Sequence, residues 1–227
     1  MIDYKVRTSA RSRHVRLSVS QHSGVVVVVP RGFDISKISE IIVKKEQWIR
    51  RSIEKVRWTG SAIEIPTRIN LRSIGFSFGV VVEYHSNRRN RLVEENGTLK
   101  LCIDSRSKRV PFNLLKRWLR EKSAAILLPW LEKVSEEHGF SYNGGAVRNQ
   151  RTRWGSCSVK KNINLNQALV FLRPELVEYL MIHELCHTVE MNHSKKYWEL
   201  VARHCPEYRT LDKELRSARK DVEVWVY

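Results

Sequence analysis

Apolar and polar positions alternate through "HVRLSVS", residues 14–20, and a run of valines, "GVVVVVP" at 24–30, follows after a short polar turn. Strict alternation predicts a half-buried strand, and a β-branched run stopped by proline predicts its partner. The period then changes. Ile38, Ile41, Ile42, Ile49 and Ile53 recur at helical spacing around Trp48, and Asp34 stands where a helix N-cap belongs. Strand-like patterning returns in "RINLRSIGFSFGVVVEYH" (68–85) and in "RLVEENGTLKLCID" (91–104), where Asn96-Gly97 is a strong hairpin signal. A long helix is expected from Pro111 to Glu137, kinked or broken at Pro129 and ended by "HGFSYNGG". The strands "AVRNQ" (146–150) and "NINLNQALVFL" (162–172) flank "TRWGSCS". Pro174, followed by glutamates, then starts a helix with Leu176, Val177, Leu180 and Met181 on its buried side.

The pattern predicts an α+β chain with an amino-terminal β-rich portion. Composition shifts near "SRSKRVP" (105–111), which places an expected boundary between a hairpin and helix region, 1–108, and a catalytic region, 109–227. No repeat or low-complexity tract interrupts either. The longest apolar runs are too short to span a bilayer, and the basic start lacks the apolar stretch of a secretory signal, so a soluble, cytoplasmic protein is expected.

Charge adds one lead. The formal net charge is +17, spread along the chain. Such a field attracts polyanions, so nucleic acid, nucleotides and acidic membrane surfaces all remain open as partners. Cys102, Cys157, Cys186 and Cys205 form no C-x-x-C pair and are expected to be reduced thiols.

The chemistry concentrates in "MIHELCHTVEMNHSKKYW", residues 181–198. Residues four apart on a helix lie one above the other, so His183 and His187 can turn ring nitrogens to one ion. Glu184 lies beside the first, rotated so that it can meet a metal-bound water without binding the metal. A catalytic zinc needs a third protein ligand and an open position. His193 can supply it if the helix ends near Asn192 in a left-handed turn, and local geometry favours it; Glu190 and Glu207 are the rivals. The plainer alternative is an amphipathic helix whose histidines are satisfied by hydrogen bonds.

Around this core, Arg151 and Arg153 can polarise an oxyanion, hold phosphates or form a solvated basic loop. Asn164 and Asn166 share a strand face that can line a cleft, with "NINLNQ" the candidate cleft edge. Tyr197 and His204 can each steady a tetrahedral intermediate, although core packing suits Tyr197 better, with Leu200 and Val201 on the same side of an amphipathic helix. Trp154 reads as a packing anchor, Ser156 and Cys157 as a structural turn, and Cys186 as core.

The segments "RTRWGSCS", "INLNQALVFLRPELVEYLMIHELCH" and "EMNHSKKYWELVARHCPEYR" resemble the YgjP-like metallopeptidase family, related to the SprT and WLM zinc proteases. The amino-terminal "RSRHVRLSVS", "GVVVVVP" and "VKKEQWI" resemble it too. The resemblance implies a zincin-like fold, one Zn2+ held by His183, His187 and His193, and Glu184 as catalytic base. The tail "RSARKDVEVWVY" lacks the cysteine-rich zinc ribbon of the SprT relatives. Two substrate classes follow from the resemblance: peptides or proteins, and, as described for some members, nucleotides such as UTP hydrolysed by a metal-dependent pyrophosphatase. A nucleic-acid-binding protein with an incidental metal site is the third reading.

Overall fold

The computed structural model describes residues 2–20, 24–58, 64–86, 89–104 and 110–227. The chain divides into two compact units, Met1–Glu64 and Ile65–Tyr227. The boundary expected at 108/109 falls inside the second unit. Ile69, Leu71, Leu99 and Leu101 there share one core with Leu115 and Leu119 of the long helix, which is why composition and compactness divide the chain differently.

The first unit carries a three-stranded sheet of β1 (Tyr4–Ser9), β2 (Arg16–Ser20) and β3 (Gly24–Pro30), in the order β1-β3-β2. The expected hairpin is the antiparallel β2–β3 pair; β1 adds a parallel strand that the pattern did not announce. Val25, Val27 and Val29 are buried against Ile38, Ile42 and Ile49 from α1 (Ile38–Lys44) and α2 (Glu46–Trp58). Asp34 caps as expected, accepting from the Ser36 backbone N–H at 3.1 Å. The helix is broken at Lys45, however, and Trp48 sits 47% exposed outside the isoleucine stripe.

The second unit contains two sheets. β4 (Arg68–Leu71), β5 (Phe76–His85), β6 (Arg91–Glu95) and β7 (Thr98–Asp104) form one in the order β4-β5-β7-β6. Asn96 and Gly97 both take positive φ, 49° and 72°, as a two-residue hairpin requires. The basic turn "SNRRNR" and the segment "SRSKR" lie partly or wholly outside the described residues. α3 (Val110–Glu137) continues through Pro129 without breaking, and Gly139, at φ 69°, turns the chain just beyond its end. The second sheet has β10 (Asn162–Asn166) between β8 (Gly144–Arg148), parallel to it, and β9 (Gly155–Cys157), antiparallel.

The strand expected to run to Leu172 stops at Asn166, whose side chain accepts from the Ala168 N–H at 3.0 Å and starts a 3-10 turn. α4 (Pro174–Cys186) then packs against α3, β9, α5 (Lys195–His204) and α6 (Tyr208–Ser217). Among the described residues no helix is long and apolar enough to cross a membrane.

Candidate metal centre

α4 starts at Pro174, as its sequence dictates, and buries Leu176, Val177, Leu180 and Met181. The helix ends at Cys186, with His187 in the cap position; it does not run on to Asn192, and Asn192 has no left-handed backbone. A tight turn at Thr188 and Val189 reverses the chain, and Ser194 caps α5 by accepting from the Tyr197 N–H at 3.3 Å. His193 is delivered by the loop between the two caps.

The geometry therefore brings His183, His187 and His193 together. One ring nitrogen from each lies within 4.8 Å of the others, and they are the only such group of three among the described residues. Glu190 and Glu207 stand outside it. The Nε2 atoms of His183 and His193 are 3.3 Å apart. Tetrahedral ligands at about 2.0–2.1 Å from one ion are separated by about 3.3 Å, so this pair already has a coordination edge. His187 donates Nδ1–H to the Glu190 carbonyl at 3.1 Å, which leaves Nε2 with its lone pair towards the cluster. Burial first, then the neighbouring imidazoles, pushes His183 down to about 3 and keeps it neutral, the form a metal requires. The residues fit a metal ion.

Tyr197 is fully buried beneath the cluster. Its ring stacks on His187 at 4.4 Å between centroids, and its hydroxyl donates to the His183 carbonyl at 3.0 Å. Of the two roles expected for Tyr197, the buried packing role is the one the geometry supplies. Trp198 stacks on His193 in the same way. His204 is paired elsewhere, its Nδ1 3.1 Å from that of His138 and its ring against Phe140.

Glu184 is 4% exposed. Burial pushes its carboxyl up to about 8, opposed by the Arg153 charge and by a hydrogen bond from the Cys157 backbone N–H. It lies so close to β9 that a Cβ built on Gly155 would stand 2.5 Å from Oε1 and 2.8 Å from Cδ. Only glycine fits. Sequence reading passed over this residue, although a lone glycine within a strand is a recognised sign of close approach.

A cavity of about 260 Å³ joins the histidines and Glu184 to Cys157 and Met191. A second, of about 210 Å³, touches Glu184 from the side of Arg153, Tyr179 and Asp212. β10 is not the cleft edge, because β8 and β9 flank it on both sides. The free edge next to the histidines belongs to β9. Trp154 O accepts from Asn166 N, and Ser158 N donates to Asn162 O; by alternation, Gly155 and Cys157 turn their backbone groups away from β10. Asn164 contacts Arg148 and Ser156 within the sheet. Asn166 is buried and donates to the carbonyls of Gln150 and Arg153, so it ties down the loop before β9 and lines no cleft. Arg151 is exposed, with Lys116 in its field. Trp154 is the expected anchor, donating Nε1–H to the Leu215 carbonyl at 3.0 Å. The four cysteines are free, with Cys186 buried.

Two solved structures are similar over part of the chain. One is the metallopeptidase zymogen abylysin of Pyrococcus abyssi, at 23% identity and a TM-score of 0.38, covering 44% of this chain and 100% of that one. The other is the metallopeptidase zymogen jannalysin of Methanocaldococcus jannaschii, at 23% identity and 0.33, covering 40% and 91%. No curated protein matches the chain. The YgjP-like metallopeptidase domain model matches residues 13–218, from before the hairpin of the first unit to the end of α6. A match of that extent takes in the histidine cluster and almost everything that supports it: the chain belongs to the YgjP-like family of metallopeptidases.

Proposed function

We propose that His183, His187 and His193 hold one zinc ion and that Glu184 is the general base in hydrolysis of a peptide bond. The observation that carries this reading is the convergence of three imidazole nitrogens, two already at a coordination edge, on a cavity that also receives the Glu184 carboxylate. Zinc so held would polarise a peptide carbonyl and lower the pKa of water at the site.

The chain's own residues do the rest. Glu184 accepts the proton of the attacking water on a carboxylate oxygen and passes it to the leaving amide nitrogen. The Cys157 N–H favours its ionised form and fixes its direction, while Gly155 gives it room. Tyr197 and Trp198 stack against two of the rings and keep them from rotating away. An extended substrate can pair with the outward backbone groups of Gly155 on β9, the Cys157 N–H being held by Glu184. Arg153, exposed beside the second cavity, suits a negatively charged substrate group.

The test is digestion of a mixed peptide library by the full chain, with products read by mass spectrometry. Wild type should generate new peptide termini that a chelator abolishes and zinc restores, and Glu184→Gln should generate none while keeping its metal. Release of pyrophosphate from UTP, with no peptide cleaved, would overturn the reading in favour of a nucleotide pyrophosphatase.

A further inference from the structure

From Tyr4 to Phe33 the chain contains Lys5, Arg7, Arg11, Arg13, Arg16 and Arg31 and no aspartate or glutamate. β1, β2 and β3 all lie within this stretch. All six cations are exposed, and none has a carboxylate partner among the described residues. Asp34, the first acid after them, is occupied in capping Ser36; Asp3 stands before β1.

The register sorts the charges. Val25, Val27 and Val29 point into the core, so Val26, Val28 and Pro30 point to the opposite face. Lys5 and Ser18 flank Val26 on that face, and Arg7 and Arg16 flank Val28. β1 runs parallel to β3 and β2 runs against it, so the end of β1, the start of β2 and the end of β3 lie together. Arg7, Arg11, Arg13, Arg16 and Arg31 are gathered at that one end. Strands about 4.8 Å apart put Arg7 and Arg16 about 10 Å from each other across Val28.

A sheet end with five arginines and one adjoining acid in sequence, Asp34, keeps a net positive charge that is costly through self-repulsion and is relieved by a polyanion. We propose that this face of the β1–β3 sheet binds the phosphate backbone of nucleic acid. Arginine forks and the Ser18 hydroxyl suit phosphate oxygens. The face has no aromatic side chain on which bases could stack, since Tyr4 packs with the core on the other side. Binding is therefore to the backbone, with little sequence preference. A bilayer fits less well, because the face offers no large apolar side chain for insertion, only half-buried valines.

The experiment is fluorescence anisotropy of the full-length protein with a labelled mixed-sequence DNA duplex, titrated between about 50 and about 200 mM salt. With four or more phosphates neutralised, log K should fall with log salt at a slope of roughly −4. Arg7→Glu with Arg16→Glu should weaken binding by at least about 10-fold and make the slope shallower by about two. Lys133→Glu with Lys213→Glu, an equal change of net charge on exposed positions of the second unit, should lose less than about 3-fold. Thermal melts of both variants, matched to wild type, keep folding out of the comparison. Equal losses in the two variants, absence of binding at the lower salt, or binding confined to phosphatidylserine vesicles would each overturn the proposal.

Discussion

Two sheets in this molecule have the same plan. In each, the third strand in sequence lies in the middle, the first runs parallel to it and the second antiparallel. Their uses differ because of what meets them. β3 is a valine run with one face in a small core and the other among cations. β10 alternates Ile163 and Leu165 with Asn164 and Asn166, whose amides are spent on neighbouring groups. The edge strand β9, only three residues long, is then met by the Glu184 carboxylate at a glycine. A plain β topology thus becomes a wall of the histidine cavity only where a helix brings its side chains to the edge; where nothing does, one face is left among cations.

The largest effects should come from breaking the β9 edge and its helix. Glu184→Gln should lower peptide hydrolysis by about 10²–10⁴-fold with metal retained, measured by initial rates and elemental analysis together. Gly155→Ala should cost about 10²-fold, since its Cβ must push the base aside by an ångström or so. Its metal content should stay at the wild-type level, and Gly155→Val should be worse than Gly155→Ala. A Gly155→Ala enzyme with full activity would remove Gly155 from the account.

Smaller effects sharpen the contrast between the two central strands. Asn166→Ala leaves two carbonyls and an amide N–H without their partner and should cost about 1–3 kcal/mol by denaturant unfolding. Tyr197→Phe keeps the stack on His187 and loses only the bond to the His183 carbonyl, about 1 kcal/mol. At the open face of the other sheet, Arg7→Ala should change stability by less than about 0.5 kcal/mol.

The legible parts of the sequence were those whose meaning is local. The H-E-x-x-H spacing works because helix geometry alone puts His183 above His187, and Asn96-Gly97 works because two positive φ values are a property of the turn itself. His193 was reachable by the same logic, although the helix stops six residues earlier than expected and a serine cap, not Asn192, manages the turn. What escaped depended on the third dimension. β9 is too short to show a period, so its role as the cleft edge was assigned to the longer β10. β1 exposes most of its side chains and reads as a charged lead-in. The supporting roles of Tyr197 and Asn166 are settled by which carbonyls fold back over them, which no spacing states.

The central claim is that three histidines from α4 and the following loop hold one ion. Elemental analysis of purified wild type beside His193→Ala tests it most directly, because it reads the site without needing a substrate. The account predicts close to one zinc per chain in wild type and loss of most of it in the variant. Full zinc retained without His193, or none bound by wild type after reconstitution, would contradict it.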